Sequence, residues 1–346
     1  MKITQAAATA VLVTFVFALL VLGKDLLIPM VLAIFIWYLI NILTDSIATL
    51  KVRKFQLPRF LCFLLALVII FGSLTLFTNL ISTSINNVIR TAPTYQANVE
   101  KLIDDGSRLF GFEESPQLNE LIRKIDFSKI LQGLGLTVAG FIGNAGLILI
   151  YTLFIFLEQK GFLPKIDNMI NGTHQRTKVR SILERIYEDT KTYIGIKTFT
   201  SLLTGVVSYT IMKSIGLDFA LFWALLIFLF NYIPTIGSIV ATIFPSLLAL
   251  VQYPTLGPFL AVAIGVTATQ MVVGNIIEPR LMGNTLNLSP LVILLSLALW
   301  GSIWGIPGAI LCVPITVLLA IIFSNFEATR PVAVLLSRNG EIRQES

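Results

Sequence analysis

The 346-residue chain has little charge, two cysteines and one histidine, and each scarcity removes a class of function. Only 13% of its residues are charged, about half the roughly 25% of an ordinary soluble domain. A soluble enzyme or a disordered chain is therefore excluded. Cys62 and Cys312 both sit inside apolar runs and read as small buried hydrophobes, so no disulfide framework or CxxC site can be drawn. His174 is the only histidine and has no cysteine or histidine near it in sequence. It reads as a solvated loop residue, and no metal is expected. The one Gly-Lys pair, Gly23-Lys24, is followed by Asp25, so there is no phosphate-binding loop and no sign of ATP-driven work. No catalytic triad or metalloprotease motif is present, and we expect neither an enzyme nor a cofactor.

What the chain does have is apolar sequence, at 55% of all residues. Continuous apolar runs of roughly 20 residues define membrane-spanning helices. Barrel strands would instead alternate apolar and polar residues. The expected fold is an all-α polytopic membrane protein with about eight spans plus broken or re-entrant helices, ten spans being the alternative count. The net charge of +6 is gathered in loops, with no basic stripe carrying aromatic residues, which argues against nucleic acid.

Residues 1–82 form an N-terminal group of spans. The first run, Ala6–Leu22, is too long for a signal peptide core and is followed by Gly23-Lys24-Asp25 rather than a small-residue cleavage site, so we read an uncleaved span. Lys51, Arg53, Lys54 and Arg59 follow the second run against the single acid Asp45. That bias predicts a cytoplasmic loop and a cytoplasmic N-terminus. The segment 83–133 has nearly balanced charge and is predicted to be external and helical. Ile85, Val88, Ala92, Tyr95, Val99 and Leu102 make a narrow stripe there, interrupted by Pro93, and a second amphipathic helix is expected over Leu118–Leu131. The stripe suits either a membrane surface or an oligomer contact. A span over 134–157 leads back to a basic segment, 158–197, again predicted cytoplasmic and continuous with the next span. Residues 198–326 form a core of short apolar runs, several too short to cross a bilayer alone. The tail, 327–346, holds Arg330, Arg338 and Arg343 and is predicted cytoplasmic.

In that core only Lys213, Asp218, Glu278 and Arg280 carry full charge. Lys213 and Asp218 read as solvated loop charges. Glu278 and Arg280 lie in Asn275-Ile276-Ile277-Glu278-Pro279-Arg280, where Arg280 is expected to pair with Glu278 or to position the ligand. Intramembrane charge is costly and marks function. Pro279 is expected to stop the preceding helix near Glu278. Gln270, Gly274 and Glu278 recur every four residues and are expected on one face. A connecting loop outside the membrane is the bland alternative. Two further breaks are Asn231-Tyr232-Ile233-Pro234-Thr235-Ile236-Gly237, with Pro245 beyond it, and Trp300-Gly301-Ser302-Ile303-Trp304-Gly305-Ile306-Pro307-Gly308, with Pro314 beyond. Paired interruptions of this kind point to a transporter site. Packed helix turns are the alternative. Ser289-Pro290 reads as a helix start, with Ser289 at the cap. The candidate substrate residues are thus Asn231, Pro234, Gly237, Gln270, Asn275, Glu278, Arg280, Ser289, Trp300 and Gly301. The candidate breaks are Pro245, Pro279, Gly305, Pro307, Gly308 and Pro314.

Asn231–Gly237, Gly274–Gly283, Leu288-Ser289-Pro290-Leu291, Leu294–Leu297, Trp300-Gly301 and Val313-Pro314 together resemble the autoinducer-2 exporter family of bacterial membrane proteins. The likeness extends through Tyr193, Lys197 and Gly205 upstream and Val332–Ser337 in the tail. The resemblance implies an inner-membrane secondary transporter exporting a small hydroxyl-rich signal, autoinducer-2, and acting in quorum sensing. It also implies a homo-oligomer, the pentamer among its forms. Some members resemble sodium(lithium)/proton antiporters, for which Glu278 would load and release a proton. A membrane scaffold using 83–133 as a partner surface is a third reading.

Overall fold

The computed structural model describes residues 2–49, 57–110, 145–170, 172–283 and 287–340. The expected helix at 118–131 lies outside them, as do the side chains of the 83–133 stripe apart from Tyr95. Among the described residues the structure is helical, with one isolated antiparallel pairing, Leu288 with Ser337. The helices are α1 (Lys2–Leu22), α2 (Lys24–Thr49), α3 (Arg59–Phe110), α4 (Ala145–Met169), α5 (Thr173–Ile215), α6 (Ala220–Phe230) and α7 (Ile236–Gln252). There follow α8 (Leu256–Val272), a π turn (Val273–Ile277), α9 (Glu278–Met282), α10 (Pro290–Trp304), α11 (Ile306–Ser324) and α12 (Arg330–Leu336).

Among the described residues six segments are long and apolar enough to cross a membrane: Lys24–Thr49, Arg59–Phe77, Ala145–Met169, Thr173–Ile215, Leu256–Met282 and Ile306–Ser324. Four apolar helices are shorter: Val11–Leu22, Ala220–Phe230, Ile236–Gln252 and Pro290–Trp304. Helix α6, with 11 residues, rises only about 16 Å against a hydrocarbon core of about 30 Å. It is a half-helix, as the short runs predicted. Helix α3 continues past its apolar part to Phe110 without a break, so Pro93 does not interrupt it.

The chain divides into two compact units. One comprises Met1–Leu67, Asn144–Lys197 and Arg280–Ser346; the other comprises Val68–Gly143 and Thr198–Pro279. In the first unit α2 packs on α4, α10 on α11, and α11 on α12. Trp37 Nε1 donates to Gln159 Oε1 at 3.0 Å, and its ring meets Tyr38, Phe156 and Tyr187. At the end of α2, Asp45 accepts from Lys191 of α5 at 2.8 Å and from Arg59 of α3 at 3.1 Å. The two basic segments therefore meet at one end of this unit. Ser289 N donates to Leu336 O and Arg338 N to Asn287 O, so the start of the tail is folded against the entry to α10.

In the second unit α6 packs on α7 and α7 on α8. Trp223 of α6 stacks on Phe244 of α7, with centroids 6.3 Å apart. Two glycines set close approaches to α5. A Cβ on Gly205 would stand 3.2 Å from Ala224 O, and one on Gly265 would stand 3.0 Å from Ile211 Cγ2. Asp218 is no free loop charge. Tyr95 Oη donates to its Oδ2 at 2.8 Å, and its backbone N–H is held by Gln252 Oε1 at 2.8 Å. Burial, with Asp218 beside it, pushes the Tyr95 phenol well above its ordinary value.

Candidate functional site

Helix α5 enters the apolar core carrying hydroxyls at Thr198, Thr200, Ser201, Thr204 and Ser208. Thr200, Ser201, Thr204 and Ser208 are fully buried, on one face at spacings of three and four. Such hydroxyls are cheap in a helix only if bonded. Thr204 satisfies itself by donating to Thr200 O at 2.8 Å. Thr198, Thr200 and Ser201 meet groups from other helices.

Those groups come from two of the breaks in the sequence. Helix α6 ends at Phe230, and the chain turns through Asn231–Thr235 before α7 begins at Ile236. At that turn Asn231 Nδ2 donates to Ser201 Oγ at 3.2 Å, and Tyr232 Oη donates to Thr198 Oγ1 at 2.7 Å. From the other side Glu278 Oε2 accepts from Thr200 Oγ1 at 3.2 Å. A single turn of α5, Thr198 to Ser201, thus holds a phenol, a carboxylate and an amide.

The geometry at Glu278 depends on the π turn. The expected stop before Pro279 does not occur, because the helix runs on from Leu256 to Met282. In a regular helix the Pro279 ring would meet the carbonyl four residues back. Here the turn widens just before it, and the Glu278 N–H reaches Val273 O five residues back. The widening also turns the carboxylate. Eight residues of α-helix leave Gln270 and Glu278 about 80° apart around the axis, whereas one residue absorbed by a π turn leaves about 20°. Gln270 is buried and Glu278 half-buried, but Gly274 and Asn275 are exposed. Gly274 does not share the inward face, since the wide turn breaks the spacing of four.

The remaining sequence candidates divide by role. Gly237 is buried, and a Cβ there would fall 1.8 Å from Phe230 O. It closes the α6–α7 turn and offers no polar group to a ligand. Pro234 is half-buried in the same turn, beside Thr235 at φ 60°. Pro245 lies buried inside α7, which continues past it to Gln252. In the other unit, Arg280 is exposed. Two positions beyond Glu278 on one helix, it projects from a different side. Ser289 stands at the α10 cap position with extended backbone but makes no side-chain cap bond. Gly305, at φ 65°, is the break between α10 and α11, and Pro307 lies in the first turn of α11. A Cβ on Gly308 would fall 1.9 Å from Trp300 O. Trp300 is buried against Trp304, whose Nε1 donates to Leu20 O at 3.0 Å. Gly301 is half-buried with open space where a Cβ would stand. Pro314 is buried inside α11, which runs unbroken to Ser324. Among the described residues no cluster could hold a metal ion.

Sequence reasoning passed over Thr198, Thr200, Ser201, Thr204 and Ser208. Their signal was the hydroxyl spacing inside an apolar run, which a search for full charges does not register.

A polytopic helical membrane protein with a buried polar file at two helix breaks belongs to the transporter class. Residues 9–328 match the family described as AI-2E family transporter, and the chain belongs to that family. It is similar to a Haemophilus influenzae protein called "Putative transport protein", 31% identical over 322 residues covering 91% of each chain. It is also similar to the AI-2 transport protein TqsA of Escherichia coli K12, 29% identical over 91% of this chain and 90% of that one.

Proposed function

We propose that this transporter exports a small, hydroxyl-rich signalling molecule of the autoinducer-2 kind across the bacterial inner membrane. The Thr198–Ser201 turn of α5 is the centre of its substrate path. The observation that carries this reading is the gathering of Asn231, Tyr232 and Glu278 onto that turn. A hydroxyl-rich solute needs alternating donors and acceptors in a setting that has shed water, and these side chains supply both. The similarity to TqsA, an AI-2 transport protein, supports the same substrate class. Both termini are cytoplasmic, with eight spans and α6–α7 as a hairpin. The contact of the two basic segments through Asp45 supports one shared side for them. The working form is a homo-oligomer, and efflux serves quorum sensing.

A second reading, cation/proton antiport, is favoured by one observation: a carboxylate, Glu278, stands within a candidate span. Uptake into inverted vesicles separates the two. Autoinducer-2, sodium and lithium are offered in turn, with a pH dye inside. Glu278→Gln keeps shape and hydrogen bonding. An exporter using Glu278 as an acceptor retains partial, less pH-dependent uptake. An antiporter loses coupled transport. Glu278→Ala disables either type. If that variant folds and transports autoinducer-2 like the parent, the site is misplaced.

A further inference from the structure

Asp218 stands just before α6 without capping it. Aspartate is among the best helix caps, because its carboxylate accepts from the free N–H groups of the first turn. Yet α6 starts with no side-chain cap bond, and its cap position is taken by Phe219 in the left-handed region, at φ 56° and ψ 28°. That backbone is costly for phenylalanine. Strain of this kind persists only where surrounding contacts impose it. The Asp218 carboxylate is turned instead to Tyr95 of α3, whose Oη donates to Oδ2 at 2.8 Å across 123 residues of chain.

The rest of this turn is tied to the end of α7. Gln252 Nε2 donates to Gly216 O at 3.0 Å, and its Oε1 accepts from Asp218 N at 2.8 Å. Tyr253 Oη donates to Ile215 O at 2.8 Å. All these residues, Tyr95 included, belong to one compact unit. What is left to adjust is the Phe219 backbone and the Asp218 side chain, and two arrangements compete for them. In the one present, Tyr95 holds the carboxylate and Phe219 is left-handed. In the other, Phe219 enters the right-handed region and joins α6. Asp218 then becomes the cap and accepts from the N–H of Ala220 or Leu221. The first gains a charge-assisted hydrogen bond, the second a cap and relief of strain. Opposed gains of similar size make a two-state element.

We propose that Asp218 is a two-position switch at the start of α6. In one position Tyr95 latches α3 to the α5–α6 turn. In the other Asp218 caps α6, and α3 is released. The switch governs how freely the α6–α7 hairpin, with Asn231 and Tyr232 at its far turn, moves during transport. That role rests on the export reading, while the switch itself has its own test.

Hydrogen–deuterium exchange on the full-length protein in lipid nanodiscs follows the amides of residues 219–223. Tyr95→Phe keeps the ring and removes the donor. Exchange there should slow by roughly fivefold, the factor a typical cap supplies. Adding Asp218→Ala should abolish the slowing. A plain structural staple gives the opposite sign, because cutting it loosens the turn. Faster or unchanged exchange in Tyr95→Phe therefore overturns the switch. Asp218→Asn decides the matter if Tyr95→Phe does not fold: asparagine still caps but binds Tyr95 less strongly, so the same amides should slow. Autoinducer-2 uptake into inverted vesicles tests the role in transport. In protein freed of cysteine by Cys62→Ala and Cys312→Ala, Tyr95→Cys is joined to Asp218→Cys by a reducible bifunctional methanethiosulfonate. Uptake should fall at least fivefold and recover on reduction. Unchanged uptake in the cross-linked protein overturns that role. A protein whose exchange responds but which does not move autoinducer-2 retains the switch and removes the substrate assignment.

Discussion

Thr200 of α5 donates its hydroxyl to the carboxylate of Glu278 at 3.2 Å, across 78 residues of chain. Thr200 is fully buried, and Glu278 is half-buried. A hydrogen bond to a charged group contributes about 1.5–3 kcal/mol. Thr200→Val keeps shape and loses the donor. Transport in inverted vesicles should fall roughly tenfold or more, since about 1.4 kcal/mol is tenfold. Thr200→Ser should restore most of it. Equal rates in the valine and serine variants would mean that the pair is incidental.

Pro279 holds the π turn in place by what its ring excludes. Pro279→Ala lets Val273–Ile277 rewind as α-helix. Glu278 would then rotate by roughly one residue's angle, about 100°. Thermal stability should stay level or rise, because a helix-interior proline costs about 3 kcal/mol, while transport falls at least tenfold. A variant that is both more stable and fully active would show that the turn is not needed.

Gly237 and Gly308 should reject alanine, since each Cβ would fall within 2 Å of a backbone oxygen that no rotamer change can move. Overpacking commonly costs about 1–3 kcal/mol and more where the backbone must shift. Both variants should lose the monodisperse peak in detergent or melt well below the parent. Gly274→Ala and Gly301→Ala meet nothing within 4 Å and should behave like the parent in the same assay.

Tyr95 gives a pH signature. Its folded phenol titrates above its unfolded value, through burial and then Asp218. The stability this contributes is complete below the unfolded value of about 10. It is lost as pH rises through the higher folded value. Tyr95→Phe should lower the melting temperature at neutral pH. Above about pH 10 the parent should lose stability faster than the variant. Parallel curves for the two proteins would remove Tyr95 from the balance.

Topology is checked by cysteines at Thr94 and Gln175 in a cysteine-free protein. Impermeant reagents should label them from opposite sides of the membrane. Labelling from the same side would contradict the charge-based orientation.

Helix positions in the core were legible because apolar runs end at turn residues. The break read at Asn231–Gly237 falls between α6 and α7. Asn231 and Glu278 stood out as polar groups in apolar surroundings. The partners that hold them did not, because threonine and serine blend into a membrane helix at the level of composition. The π turn was hidden for a different reason. Proline chemistry predicts a disturbance near Glu278 but does not choose between ending the helix and widening it. The sequence carries no signal that makes that choice. Asp218 misled in the same way: a charge beside a short turn reads as solvated until Tyr95 arrives from α3.

The two glycine cradles have a mechanical consequence. At Gly237 and at Gly308 a helix is wedged against the carbonyl end of its predecessor, so the arms of each hairpin cannot scissor about their own tip. Each hairpin, α6 with α7 and α10 with α11, must move as one lever. Flexing is left to the outer ends of the levers: Gly216–Phe219 and Tyr253–Thr255 for the first, Asn287–Ser289 and Asn325–Thr329 for the second. In each, the stiffest point is the break that sequence alone would choose as the hinge.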